Sequence, residues 1–231
     1  MVYGMGGRLC TLLFPLRCLV CGDPGQAGFD LCAACRRDLP WSGTACHRCA
    51  LPLPAGEGVA PLCGQCQQRK SPLSAVHATF LYGAPVDGLL RRFKFHQDLA
   101  AGRLLSQLMV SQVPAGLCPQ ALVALPLHTA RLRQRGYDQA LELARPLARE
   151  LRLPLCAGLR RTRATAAQSE LDAAARRRNV RAAFTVTGSL PAHVALVDDV
   201  MTTGATLRAA ATALRKAGVE RVDAWVCARV P

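Results

Sequence analysis

A chain of 231 residues has room for one domain of ordinary size and a smaller second unit. It contains no uninterrupted apolar run of about eighteen residues, which excludes an obvious membrane-spanning helix. The charge is lopsided, with Lys+Arg 29 against Asp+Glu 15 and only three lysines, so the partners to expect are polyanions: nucleic acid or a phosphorylated small molecule.

The first apolar stretch, LCTLLFPLRCLVC at 9–21, is interrupted by Pro15 and Arg17 and has no small-residue cleavage site. It reads as neither signal peptide nor anchor, and a cytoplasmic protein is expected. Four cysteine pairs of one spacing follow: Cys18 with Cys21, Cys32 with Cys35, Cys46 with Cys49, and Cys63 with Cys66. Two cysteines separated by two residues aim both sulfurs at one point, which suits tetrahedral Zn2+ better than a disulfide framework. The segment is also duplicated, because CLVCGDPGQAGFDLCAACRRDLP and CHRCALPLPAGEGVAPLCGQCQQRKSP share a knuckle, a Gly/Pro-rich excursion and a second knuckle. The expectation is therefore two structural zinc ions, one held by Cys18, Cys21, Cys32 and Cys35, the other by Cys46, Cys49, Cys63 and Cys66, with interleaved pairing as the alternative. His47 reads as a loop residue. Cys10, Cys118, Cys156 and Cys227 read as small apolar residues.

Composition shifts at QQRKSPLSA (67–75), and the predicted division is a double zinc ribbon over 1–72 and a second domain over 73–231. The second part carries 22 basic residues against 11 acidic ones, the first only 7 against 4, so the polyanion is expected mainly on the second. There the predicted elements alternate. AVHATFLY is a strand, residues 88–109 one helix, ALVAL a strand, and YDQALELARPLARELR a helix bent or broken at Pro146. After an arginine-dense stretch come strands AAFTV and HVALV, a helix from Thr206 closed by Gly218, and the strand RVDAWVCARV. This order predicts an α/β fold with a mostly parallel sheet, whose ligands bind beyond the carboxyl ends of the strands.

At such an end stands VALVDDVMTTGATL (194–207). The apolar run delivers Asp198 and Asp199 to the edge. Thr202, Thr203, Gly204, Ala205 and Thr206 then form a small, hydroxyl-rich turn whose N–H groups can curl around an anion at a helix N-terminus. Two carboxylates beside a phosphate need another partner, and a sugar diol or a hydrated divalent cation meets that need. The chain has no P-loop and no dinucleotide fingerprint.

VALVDDVMTTGATL resembles the phosphoribosyl-pyrophosphate (PRPP) motif of type I phosphoribosyltransferases. With FKF at 93–95, LPLHTARLRQRGYDQA at 125–140 and RRTRATAAQSELDAAARRRNVRAAF at 160–184, nearly the whole chain resembles the ComF family, a double zinc ribbon followed by such a domain. The resemblance implies that Asp198 and Asp199 hold the ribose hydroxyls and Met201 to Thr206 the 5′-phosphate, with Mg2+ accompanying PRPP. It implies that His128, Arg131, Arg133 and Arg135, on a loop after a strand, hold pyrophosphate. It also places Gln168, Arg176 and Asn179 on a mobile loop. Lys94 matches the family's lysine, and a plain helix-surface lysine is the alternative. Where the family has R-G-F-N this chain has Arg135, Gly136, Tyr137 and Asp138, and the added anion is expected to orient an arginine.

Two functions remain open. One is a PRPP-binding protein acting in DNA uptake through partners, which the resemblance suggests as single-stranded DNA or a DNA-translocating ATPase. The other is an active phosphoribosyltransferase with Asp198 or Asp199 taking up a proton, or a role in sugar-acid use. No aromatic cluster fit to stack a base is evident, since Tyr82, Phe93, Phe95 and Trp41 are scattered.

Overall fold

The structure is a computed structural model and describes residues 16–54, 61–113, 116, 118–162 and 183–231. A parallel sheet in the order β1-β6-β5-β2 forms its centre. The strands are β1 (Ala75–Leu81), β2 (Ala121–Ala124), β5 (His193–Met201) and β6 (Arg221–Arg229). The last two are buried along nearly their whole length, as an apolar run without alternation requires of central strands. A short antiparallel pair, β3 (Leu159–Arg161) with β4 (Phe184–Val186), lies outside this sheet.

One face of the sheet is covered by α3 (Val86–Phe95), α4 (Leu99–Val110) and α6 (Gln139–Leu151), the other by α7 (Ala205–Lys216) together with β3 and β4. In α3 the buried residues Val86, Leu89, Leu90 and Phe93 recur at helical spacing and form one apolar stripe. The single helix expected over 88–109 is two. Gln97 takes a left-handed backbone (φ 53°), and Asp98 starts a new helix by accepting a hydrogen bond from the Ala101 N–H at 3.0 Å. Phe93 fills the junction against Gly102, where a Cβ would collide with the phenyl ring. Pro146 neither ends nor splits α6, which continues through it to Leu151.

The cysteines gather in the sequential pairing, each set with its four sulfurs within 4.8 Å of one another. Cys21 and Cys32 are 3.7 Å apart, as are Cys49 and Cys63. A tetrahedron with Zn–S bonds of about 2.3 Å has an edge of about 3.8 Å, so the sulfurs fit zinc without rearrangement. Burial alone would raise the Cys18 thiol, but the N–H groups of Cys21, Cys32 and Val20 outweigh it and bring it down to about 6. Cys35 is pushed up, chiefly by Cys21 and Cys32. Four thiolates this close repel one another, a repulsion that a dication removes. Two short helices, α1 (Ala33–Arg37) and α2 (Gly64–Gln68), each start at a cysteine of these sets.

The ribbons pack against the sheet and are not tethered beads. Residues 40–42 lie along β1, with Ser42 N–H donating to Thr79 C=O at 2.9 Å, Leu81 N–H to Pro40 C=O at 2.8 Å, and the Trp41 and Phe80 rings 4.8 Å apart. This contact satisfies backbone groups that an open edge strand would leave unpaired. Cys18, Leu31 and Leu39 are buried in the same apolar cluster as Phe80, Leu90 and Phe93.

Candidate functional site

The sheet opens at the carboxyl end of β5. There β2 stops short: its last paired residue, Ala124, sits opposite Val197, whereas β6 accompanies β5 to Met201. Asp198 and Asp199 therefore lie on the final turnings of a strand that has lost one neighbour, at the wall of a cleft of about 220 Å³.

The opposite wall is built after β2. The stretch expected as a loop contains a helix, α5 (Thr129–Arg135), closed by Gly136 at φ 82°. Arg131 and Arg135 line the cleft, but Arg133 is exposed and does not, and the His128 ring turns away to accept a hydrogen bond from the Ala130 N–H at 3.2 Å. Spacing explains the split, since residues 131 and 135 share a helix face that 133 cannot. Asp138 corrects its own expectation. It orients backbone and no arginine, with one oxygen accepting from Leu127 N–H at 2.9 Å and the other capping α6 through Leu141 N–H at 3.1 Å. The residue that does hold an arginine is Gln139, whose Oε1 accepts from Arg135 at 2.9 Å.

The floor is the turn into α7. Gly204 has φ 70° and caps the helix without a side-chain hydrogen bond, and Gly204, Ala205 and Thr206 at the N-terminus of α7 line the cleft beside Thr202. Thr203 instead turns its hydroxyl toward Ala205 N–H at 3.4 Å. A Cβ on Gly204 would collide with the Met201 methyl group and approach the Arg208 guanidinium at 2.9 Å, so the glycine serves close packing of its own turn as well as φ. The turn is tied to the second cysteine set by Arg229, which donates to Cys49 C=O at 2.9 Å and to Met201 C=O at 3.3 Å.

Two further cations line the cleft: Lys94, for which the sequence leaves both a family-lysine and a surface-lysine reading open, and Arg161, which the sequence does not single out. Lys94 Nζ lies 2.7 Å from Asp199 Oδ2, with the lysine side chain 21% and the aspartate side chain 11% exposed, so it is a cleft residue and not a surface lysine. Arg161, at the end of β3, also lines the cleft. Burial lowers its pKa, Arg131 lowers it further, and Asp198 opposes both. Two arginines near enough to repel each other make a slot suited to a polyanion. Burial first and the Asp199 carboxylate second push the Asp198 carboxyl well above the usual range, while Lys94 pulls it down. Gln168, Arg176 and Asn179 lie outside the described residues.

Among known proteins, the family described as Double zinc ribbon domain matches residues 9–67, and the Phosphoribosyl transferase domain matches 138–231. The chain is similar to DNA utilization protein YhgH of Escherichia coli strain K12, at 33% identity over 229 residues covering 94% of this chain and 99% of that protein. It is similar to the same degree, 33% over 228 residues, to Competence protein F of Haemophilus influenzae, covering 94% and 98%. A glutamine PRPP amidotransferase structure from B. subtilis overlaps 53% of this chain and 25% of its own at 21% identity, with a TM-score of 0.38 too low to carry an argument. Among the described residues no helix is long and apolar enough to cross a membrane.

Proposed function

This chain belongs to the ComF family, and from that premise we propose that its cleft binds PRPP with Mg2+. The observation carrying this reading is one cleft that sets Asp198 and Asp199 beside the N-terminus of α7, with Arg131, Arg135 and Arg161 also lining it. Asp198, which keeps one side toward the cleft, suits a ribose diol or an Mg2+ that takes its remaining ligands from phosphate oxygens. The helix N-terminus takes the 5′-phosphate and the arginines take pyrophosphate. When bound, Mg2+ supplies charge neutralisation for the leaving pyrophosphate.

Calorimetry tests this. Mg-PRPP is expected to bind about tenfold or more tightly than ribose 5-phosphate, because arginine contacts to pyrophosphate are charge-assisted. Arg131→Ala and Arg135→Ala should narrow the gap and Arg133→Ala should not. Equal affinity for the two ligands would take the arginines out of the site, and no binding of either would overturn the reading.

Catalysis is the second reading, favoured by Asp198, whose carboxyl is held above the usual range by burial and by the Asp199 carboxylate and is therefore a stronger base than an ordinary carboxylate. In the cell we place the protein in the cytoplasm, in the handling of incoming DNA suggested by the names of its relatives, with the ribbons as the contact for a partner such as a DNA-translocating ATPase. The net charge of +14 adds single-stranded DNA as a ligand. Affinity for an oligonucleotide should then fall steeply with salt as counterions are released. Absence of binding at low salt would leave the arginines to PRPP and to protein partners.

A further inference from the structure

The cleft occupies the carboxyl end of the sheet, and the opposite end gathers a second group of cations. A cavity of about 250 Å³ lies there, with Arg48, Lys70, Ser71, Ser74 and Arg215 among its lining residues. Three separate parts of the chain meet in it. Arg48 stands inside the third cysteine knuckle, residues 70–74 lead into β1, and Arg215 is in the last turn of α7. The N-terminus of α7 lines the cleft and its last turn lines this cavity, so the two are separated by roughly 18 Å, the length of a helix of 12 residues.

No carboxylate lines the cavity. Among the described residues Arg48, Lys70 and Arg215 form no ion pair, whereas Arg91, Arg92, Arg145 and Arg221 each lie against a carboxylate. Arg48 is nonetheless fixed in place. Its Nη1 donates to Cys66 C=O at 2.8 Å and to Arg69 C=O at 3.3 Å, which leaves the Nε and Nη2 hydrogens to be given elsewhere. A guanidinium already immobilised gives up little rotamer freedom when an anion arrives. The Ser71 hydroxyl oxygen accepts from Leu73 N–H at 3.1 Å, so its own proton also remains to be donated. The helix dipole favours a cation at Arg215, but it does not bring Arg48 and Lys70 to the same hollow.

Three cations without counter-charge, with hydroxyl donors beside them, suit a phosphate that carries more than one charge. Size narrows the ligand further. The cavity falls below the roughly 300–1,000 Å³ that encloses a whole small molecule, so it takes the charged end of a ligand and leaves the rest outside. We propose that this hollow is a second anion site, selective for a terminal phosphate, either a monoester or a diphosphate, and filled independently of the cleft. A terminal phosphate carries about two charges at neutral pH where an internal phosphodiester carries one, so the diester is the weaker ligand. The phosphate belongs to a small metabolite or to the 5′ end of a nucleic acid strand, and the site stands whatever the cleft binds.

The chain supplies its own reporters. Its three lysines are Lys70 at this cavity, Lys94 in the cleft and Lys216, which lines neither. Full-length zinc-loaded protein is treated with a lysine-acetylating reagent, and the rate at each lysine is read by mass spectrometry. The probes are inorganic pyrophosphate and adenosine monophosphate, with adenosine and sodium chloride of matched ionic strength as controls. Both phosphates should slow acetylation of Lys70 by about fivefold or more through direct charge-assisted contact, while the controls change it less than about twofold. Arg48→Met and Arg215→Met should each remove the protection with zinc content and the rate at Lys94 unchanged; Arg215, exposed at a helix end, serves as the test if Arg48→Met loses zinc. A short oligothymidylate with a 5′-phosphate, set against the same strand without one, assigns the source. Protection by the phosphorylated strand as well includes strand ends among the ligands, and protection by the small phosphates alone confines them to metabolites. Equal protection by the two strands, protection by matched salt, protection of Lys94 alone, or a rate at Lys70 that is indifferent to both phosphates overturns the proposal, as does protection that survives Arg215→Met.

Discussion

Cys18→Ser is expected to cost one of the two zinc ions and to lower the melting temperature of the whole chain, not only of its N-terminal third. From the sequence the ribbon looks separable, and loss of its metal would leave the second domain intact. The packing argues otherwise. Cys18 is 3% exposed and shares its apolar cluster with Leu31, Leu39, Phe80, Leu90 and Phe93, and Arg92 on α3 donates to Leu19 C=O at 2.7 Å. A structural zinc site is worth on the order of 10 kcal/mol to the segment it folds, comparable to the net stability of a whole domain. Losing it releases residues 40–42 from β1 and exposes that edge. Cys49→Ser should remove the other zinc and in addition weaken Mg-PRPP binding, because the Cys49 carbonyl is one anchor of Arg229 and the Met201 carbonyl is the other. Metal analysis with calorimetry checks both variants. Two separate melting transitions in Cys18→Ser, the upper one unchanged from the parent protein, would show that the ribbon and the sheet are independent.

Much of this architecture is legible in the sequence because its signals are local. An apolar run without alternation announces a buried parallel strand, paired cysteines announce knuckles, and Asp-Asp followed by T-T-G-A-T announces a strand, a turn and a helix start. What stays hidden depends on contacts distant in the chain. The break at residues 96–98 is set by Gln97 adopting a positive φ and by Asp98 capping, neither of which interrupts the apolar pattern that reads as one helix. For Lys94 the sequence leaves the family's lysine and a surface lysine equally open, and only its contact with Asp199, 105 residues further on, decides between them. Arg161, Gln139 and Arg229 are likewise recruited by the folded sheet. Among the loop arginines the sequence gives no rule for choosing between 131, 133 and 135, and only the helix periodicity of α5 separates them. Asp138 shows the reverse: a residue that looks electrostatic, and that falls inside the helix expected over 137–152, acts as the cap of a helix that starts at Gln139.

The two acidic residues of the cleft should give opposite stability effects and the same functional one. Asp198→Asn and Asp199→Asn are each expected to abolish most of the thermal shift produced by Mg-PRPP, since a ligand that binds only the folded state raises its melting temperature with the logarithm of its concentration relative to Kd. Without ligand they diverge. The folded pKa of Asp198 is raised above its unfolded value, so the folded state holds the proton to higher pH and this carboxyl costs nothing below the unfolded pKa of about 3.9. Its cost grows as pH rises toward the folded pKa and is complete above it. Asp198→Asn removes that cost, so its melting temperature should exceed the parent's by a few degrees at pH 8 and the advantage should shrink as pH falls toward 4. Asp199 is held by Lys94 at 2.7 Å in surroundings with little access to water. Replacing it by asparagine leaves the ammonium without its counter-charge, at a cost of about 1–3 kcal/mol, and should lower the melting temperature at pH 8. Lys94→Met together with Asp199→Asn should recover part of that loss, because the stranded charge is gone. Equal destabilisation by Asp198→Asn and Asp199→Asn would mean that both carboxylates are compensated alike and that the asymmetry imposed by Lys94 does not exist in solution.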